Sequence, residues 1–158
     1  MSNLLEIGES APTFTLSNHK GETINLKDNL GQWLILYFYP KDNTPGCTTE
    51  AQDFTRLTPE FAKLSAKIIG ISPDSEKSHC KFIGMYDLSI ELLCDPDHTV
   101  AKAYDVWNLK KFMGKEYMGI IRSTFIINPE GNIAYIWSKV RVKNHGEKVL
   151  NQLQELQS

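Results

Sequence analysis

The sequence predicts an α/β fold in which a mixed sheet is covered by helices. Three observations lead there. Trp33 to Tyr39 is a seven-residue apolar run, the mark of a strand buried on both faces. Ala66 to Ser72 is a second such run, with two isoleucines in succession. Between them Ala51, Phe54, Leu57, Phe61 and Leu64 recur at steps of three and four, which marks one buried face of a helix starting near Thr48.

The remaining elements follow in order. Residues 1–30 read as an edge element. Phe14-Thr15-Leu16 and Thr23-Ile24-Asn25-Leu26 are short strand patterns split by the polar turn Ser17 to Gly21, where His19 reads as a solvated loop residue. Thr58-Pro59 interrupts the first helix pattern and predicts a kink or a restart, since proline removes a helical hydrogen bond. Ser72-Pro73-Asp74-Ser75 starts a second helix that runs to about Tyr86, and Glu91 to Cys94 is a short strand. Asp95-Pro96 predicts a helix over about Asp97 to Tyr104, a capping carboxylate followed by proline. Residues 105–121 interleave Trp107, Phe112, Met113, Tyr117 and Met118 with lysines, and read as a loop that packs its aromatics and solvates its charges. Ser123 to Ile127 and Ile133 to Trp137 are strands joined by the hairpin turn Asn128-Pro129-Glu130-Gly131. The last helix spans about His145 to Leu156, with Val149, Leu150, Leu153 and Leu156 on one face. No repeat, low-complexity segment or linker divides the 158 residues, so one domain over residues 1–158 is expected.

Composition narrows the function classes. Hydrophobic residues make up 41% and charged residues 23%, with a net charge of −2, so nothing calls for nucleic acid or a membrane surface as partner. Met1 to Glu6 has neither a basic nor an apolar leader segment, and no apolar run is long enough to span a bilayer. Cys47, Cys80 and Cys94 are few, odd in number and far apart, which argues for a reducing, cytoplasmic setting rather than a disulfide scaffold. His19, His79, His98 and His145 show no metal-ligand spacing with the cysteines, so no metal and no other cofactor is expected.

Chemistry concentrates in Tyr39-Pro40-Lys41-Asp42-Asn43-Thr44-Pro45-Gly46-Cys47, between the first buried strand and its helix. This places Cys47 in the first helical turn, beyond the carboxyl end of a central strand, where ligands collect in open α/β sheets. Free N–H groups and the positive end of the helix favour an anion there, so the thiol ionises more readily, and the thiolate is the nucleophile. Pro45-Gly46 reads as the tight turn that aims the sulfur. Thr44 lies three residues before Cys47, so its hydroxyl can face the same pocket.

The spacing P-x-x-x-T-x-x-C at Pro40, Thr44 and Cys47, followed by Glu50, resembles the active-site loop of peroxiredoxins. Lys111 to Phe125, Trp137 and Val140 to His145 are similar to the later signatures of the bacterioferritin comigratory protein subgroup, also called peroxiredoxin Q. The resemblance covers nearly the whole chain. It implies a thioredoxin-like fold with an N-terminal β-hairpin, and a thiol-dependent peroxidase that reduces hydrogen peroxide and organic hydroperoxides through a sulfenic acid at Cys47. It sets Arg122 beside the loop as the activating cation, with Glu50 as the acid that orients it. Thr44, Gly46 and Arg122 would bind the peroxide, the N–H groups of Gly46 and Cys47 would stabilise the departing oxygen, and Pro40 would exclude water. The implied partners are a peroxide and a thioredoxin-like protein or small thiol as reductant; a monomer or weak dimer is expected.

The chain departs from the subgroup in one respect. Many members carry a second cysteine five residues after the nucleophile, where this chain has Gln52. In a variant of the family the resolving cysteine lies in the next helix. Cys80 lies in that helix, about one turn before the usual position, near which Ile83 sits. Either Cys80 resolves the sulfenic acid or an external thiol does; Cys94 reads as a small core residue. A dithiol thioredoxin needs C-x-x-C, and Glu50 occupies the second position. The rival of another class is a redox-inert binding or chaperone-like module on the same fold.

Overall fold

A computed structural model describes residues 5–158. Of the leader reading on Met1 to Glu6, the part on Met1 to Leu4 lies outside the described residues. The strands are β1 (Thr15–Asn18), β2 (Thr23–Asn25), β3 (Trp33–Phe38), β4 (Ala66–Ser72), β5 (Glu91–Cys94), β6 (Trp107–Phe112), β7 (Lys115–Ile120), β8 (Ser123–Ile127) and β9 (Ile133–Ser138). The helices are α1 (Pro45–Lys63), α2 (Glu76–Tyr86), α3 (Thr99–Ala103) and α4 (His145–Gln157). Seven strands form one mixed sheet in the order β2-β1-β5-β4-β3-β8-β9. β3, β4 and β5 run parallel, while β8, β9, β1 and β2 pair antiparallel.

The uncharged β3 run follows from its place at the centre of this sheet. Leu34, Leu36 and Phe38 pack into one apolar layer, against Tyr104 and Phe125. Ile35, Tyr37 and Tyr39 alternate to the other, beneath Phe54 and Phe61 of α1, Phe82 of α2 and Val149 of α4. Both layers exclude water, which is the main stabilising term for a domain of this size.

Four expectations are corrected. First, α1 begins at Pro45 rather than near Thr48, because proline's fixed φ suits the first helical position. Second, α1 runs unbroken through Thr58-Pro59. Pro59 is exposed, so the carbonyl it leaves unpaired can face water, while the Thr58 hydroxyl donates to Phe54 O at 2.8 Å. Buried Phe54, Leu57 and Phe61 hold the axis on either side of the proline. Third, α3 has only five residues and starts at Thr99, after His98 in the left-handed region at φ 61°. Asp95 still caps it, its carboxylate accepting from Val100 N and Ala101 N at 3.2 and 2.9 Å. Fourth, residues 107–120 are not a loop: β6 and β7 form an antiparallel hairpin of their own. Its turn, Met113-Gly114, has positive φ at both residues, the twist that two-residue hairpin loops favour. Trp107 packs against the core as expected, but Phe112, Met113, Tyr117 and Met118 are exposed, as is Leu109.

Candidate active site

The β3 ladder ends with Tyr39 N donating to Ile71 O, since Pro40 has no N–H to continue it. The chain turns at Asn43, in the left-handed region at φ 59°, which asparagine tolerates. Thr44 is extended and caps α1. Pro45, Gly46 and Cys47 are therefore the first three residues of the helix, and the turn expected at Pro45-Gly46 is supplied by Asn43. Gly46 provides room: a Cβ there would come within 3.3 Å of Arg122 Nη2.

Cys47 is 1% exposed. Arg122 Nη2 donates to its Sγ at 3.3 Å, and Arg122 Nη1 donates to Glu50 Oε1 at 2.7 Å. The sheet explains the approach. Phe38 at the end of β3 pairs with Ser123 at the start of β8, so the residue before Ser123 is delivered to the mouth of the loop. Glu50 lies one turn after Cys47 on α1 and turns the guanidinium edge toward the sulfur. Burial works against the charge of Arg122, but Glu50 and Cys47 more than offset it and raise its pKa above the ordinary arginine value. Glu50 is 1% exposed, and burial pushes its carboxyl up from 4.5 to about 7 although Arg122 pulls it down. Its second oxygen is buried and has no partner among the described residues.

The other candidates fall around this pair. The Thr44 hydroxyl is half-buried and donates to Lys41 O at 2.9 Å, which leaves its lone pairs as acceptors. Pro40 and Arg122 line a shallow cleft of about 310 Å³ with Lys110, Ile121, Lys139 and Val140. Lys110 was not singled out by sequence, and a lysine in a basic hairpin carries no signal of a cleft. Cys80 is exposed on α2 and its Sγ donates to His19 O at 2.8 Å. Cys94 is buried at the end of β5, and burial pushes its thiol up to about 11. All three cysteines are free. Among the described residues one group of metal-type donors converges, Asp42, Asp74 and His79, within 4.8 Å of one another. His79 Nδ1 lies 2.7 Å from Asp42 Oδ2, the Asp42 carboxylate also accepts from two hydroxyls, and Asp74 Oδ2 accepts from Asp42 N and Ser72 Oγ.

An anionic sulfur here would sit at a helix start under a fixed guanidinium, almost wholly buried. That arrangement suits attack on an electrophilic atom whose leaving group takes up negative charge. Among the described residues no helix is long and apolar enough to cross a membrane.

Comparison with known proteins agrees with this chemistry. Residues 7–136 match the AhpC/TSA family. Peroxiredoxin Bcp of Bacillus subtilis is 51% identical over 152 residues, covering 96% of this chain and 97% of its own. Peroxiredoxin Bcp of Escherichia coli is 40% identical, covering 97% and 98%. Among solved structures, Xylella fastidiosa PrxQ superposes with a TM-score of 0.92 at 38% identity, covering 98% of each chain. The bacterioferritin comigratory protein of Xanthomonas campestris gives 0.88 at 43% identity over 92% of each, in a study of that protein's alkyl peroxide reduction.

Proposed function

We propose that Cys47 is the peroxidatic nucleophile of this chain, which belongs to the AhpC/TSA family and is a thiol peroxidase with a thioredoxin-type fold. The observation that carries the assignment is the guanidinium of Arg122 within 3.3 Å of Sγ at the third position of a helix. The thiolate attacks the hydroxyl oxygen of a hydroperoxide. An S–O bond forms as the O–O bond breaks, sulfur gives up two electrons, and the departing alkoxide or hydroxide takes a proton to leave as alcohol or water. Arg122 and the free N–H groups of Gly46 and Cys47 face the charge that develops on that oxygen. Glu50 holds Arg122 in place, Thr44 offers its hydroxyl to the peroxide, and Pro40 closes the cleft to water. Hydrogen peroxide and organic hydroperoxides are the substrates.

The sulfenic acid must then be reduced. Cys80 is the candidate resolving cysteine: it is exposed, whereas Cys94 is buried with its thiol pushed up to about 11. Its thiolate would form an S–S bond as the S–O bond of the sulfenic acid breaks, the hydroxide taking a proton to leave as water, and a thioredoxin-like protein or small thiol reduces the resulting disulfide. Three cysteines, odd in number and far apart in the sequence, support a reducing, cytoplasmic setting. A monomer or weak dimer is the proposed assembly. Cys47→Ser should abolish thiol-dependent peroxide consumption, and in the wild type Cys47 should be alkylated fast at neutral pH. Substantial activity in the variant, or a slow-labelling thiol, would sink the assignment and favour an inert binding module.

A further inference from the structure

The Asp42–His79 pair lies outside the group around Cys47, and nothing in the peroxide chemistry uses it. His79 is fully buried on α2, and Asp42, in the loop between β3 and α1, is 7% exposed. His79 Nε2 lies 2.9 Å from Leu93 O of β5, and a carbonyl only accepts, so Nε2 carries a hydrogen. His79 Nδ1 lies 2.7 Å from Asp42 Oδ2. The same carboxylate accepts from Tyr39 Oη at 2.6 Å and from Ser78 Oγ at 2.8 Å. The Nδ1 contact therefore holds one proton between the two residues, whichever carries it. A buried pair with every donor and acceptor used is costly to break, because either partner left alone is unpaired in a low-dielectric interior.

The contacts all converge on one short segment. Asp42 N donates to Asp74 Oδ2 at 2.8 Å, and Asp74 accepts from Ser72 Oγ at the end of β4. The next residue, Asn43, accepts from Tyr86 Oη at the far end of α2 at 2.7 Å. The two residues before the cap of α1 are thus tied to α2, β4 and, through His79, to β5. Thr44, Gly46 and Cys47 follow directly.

We infer that His79 is a positioning residue for the peroxidase reaction: through Asp42 it clasps the loop that sets the aim of Cys47 and its N–H groups at Arg122 and the peroxide. The inference rests on Cys47 being the nucleophile. The clasp has a second consequence. Opening the loop to deliver the sulfenic acid to another thiol requires this contact to break, so the clasp favours the attack on peroxide and opposes the step after it.

Two substitutions separate this role from a packing role. The amide nitrogen of asparagine falls near Nδ1 of the histidine it replaces, and that of glutamine near Nε2. His79→Asn therefore keeps the contact to Asp42 and gives up Leu93, while His79→Gln does the reverse. Stopped-flow measurement of Cys47 oxidation by hydrogen peroxide should show His79→Gln slowed by about 10- to 100-fold, the scale of an ångström-level misplacement. His79→Asn should keep most of the rate. Capture of the Cys47 sulfenic acid by an added 1,3-diketone should be faster in His79→Gln than in the wild type. A packing role makes the opposite ranking, because asparagine leaves the larger void; that ranking, or a wild-type rate in His79→Gln, overturns the inference. If His79→Gln does not fold, Asp42→Ala reads the same contact from the loop side, with the same loss expected and a wild-type rate overturning it. Cys47→Ser, run alongside, keeps the two readings apart. Activity retained there removes the nucleophile assignment, whereas activity lost there with unaltered clasp variants removes only the clasp.

Discussion

Replacing Glu50 by glutamine should change how stability depends on pH, and the sign follows from two buried groups that oppose each other. Burial raises the Glu50 carboxyl from 4.5 to about 7, with Arg122 opposing. The folded state then binds more protons than the unfolded state between those values, so this residue makes stability fall as pH rises through that window. His145 works the other way. It is 3% exposed, and burial, then Lys148 and Arg122, lower its pKa from 6.5 to about 4. The unfolded state binds more protons in that window, so stability falls as pH drops through it. In the wild type the two slopes largely cancel from about pH 4.5 to about pH 6.5. The gap at Glu50 is worth roughly 3 kcal/mol, at about 1.4 kcal/mol per tenfold change in the proton equilibrium. Urea unfolding of both proteins under reducing conditions, at about pH 4.5 and about pH 7.5, gives the test. The stability of Glu50→Gln minus that of the wild type should grow by roughly 3 kcal/mol from the lower to the higher pH. Groups common to both proteins drop out of the difference. A difference that is flat, or that shrinks as pH rises, refutes the reasoning.

Two further outcomes are expected. Arg122→Lys keeps the charge but loses the fork that reaches Cys47 and Glu50 together, so the second-order rate with peroxide should fall by about 10²-fold, the lower end for loss of one aimed donor; an unchanged rate contradicts the role. After one equivalent of peroxide, intact mass should show two thiols lost in the wild type and a stalled sulfenic acid in Cys80→Ser. Sulfenic acid in both would mean a one-cysteine enzyme.

What the sequence displayed and what it hid divide along a physical line. β3, β4, α2 and α4 were legible because burial on both faces, or on one stripe, leaves a periodic apolar signature that tertiary contacts do not need to supply. Pro40, Thr44 and Cys47 stand out as candidates because they keep a fixed spacing across the junction of β3 and α1, with Glu50 one turn further on and its role implied by the resemblance. Arg122 came only from resemblance; no local pattern tells which of three arginines the β3–β8 register delivers to the sulfur. The hairpin of β6 and β7 was missed because its exposed Leu109, Phe112 and Met118 obey no inward-outward alternation. The clasp was missed for a related reason, though a trace existed: His79 lies on the apolar stripe of α2 with Phe82 and Tyr86. A histidine on such a stripe needs partners for both ring nitrogens, and the partners, Asp42 and Leu93, come from elsewhere in the chain.

The same geometry bears on how the cycle can close. On α2, Ser78, Lys81, Phe82 and Met85 line the pocket beside Asp42 and Asn43. At about 100° per residue, Cys80 projects from nearly the opposite side, and it bonds to His19 beyond β1. A disulfide needs Cα atoms within about 7 Å and side chains that converge. Cys80 therefore meets Cys47 only if the start of α1 unwinds and the part of α2 around Cys80 turns or frays. Thr58-Pro59 does not confine that unwinding, because α1 is continuous there. The natural stop is earlier, where Ala51 and Phe54 are fully buried beneath the sheet. Unwinding up to Glu50 would leave those anchors in place but separate Glu50 from Arg122 and pull the loop from His79. The groups proposed to make Cys47 reactive are thus the groups that resolution through Cys80 would have to release.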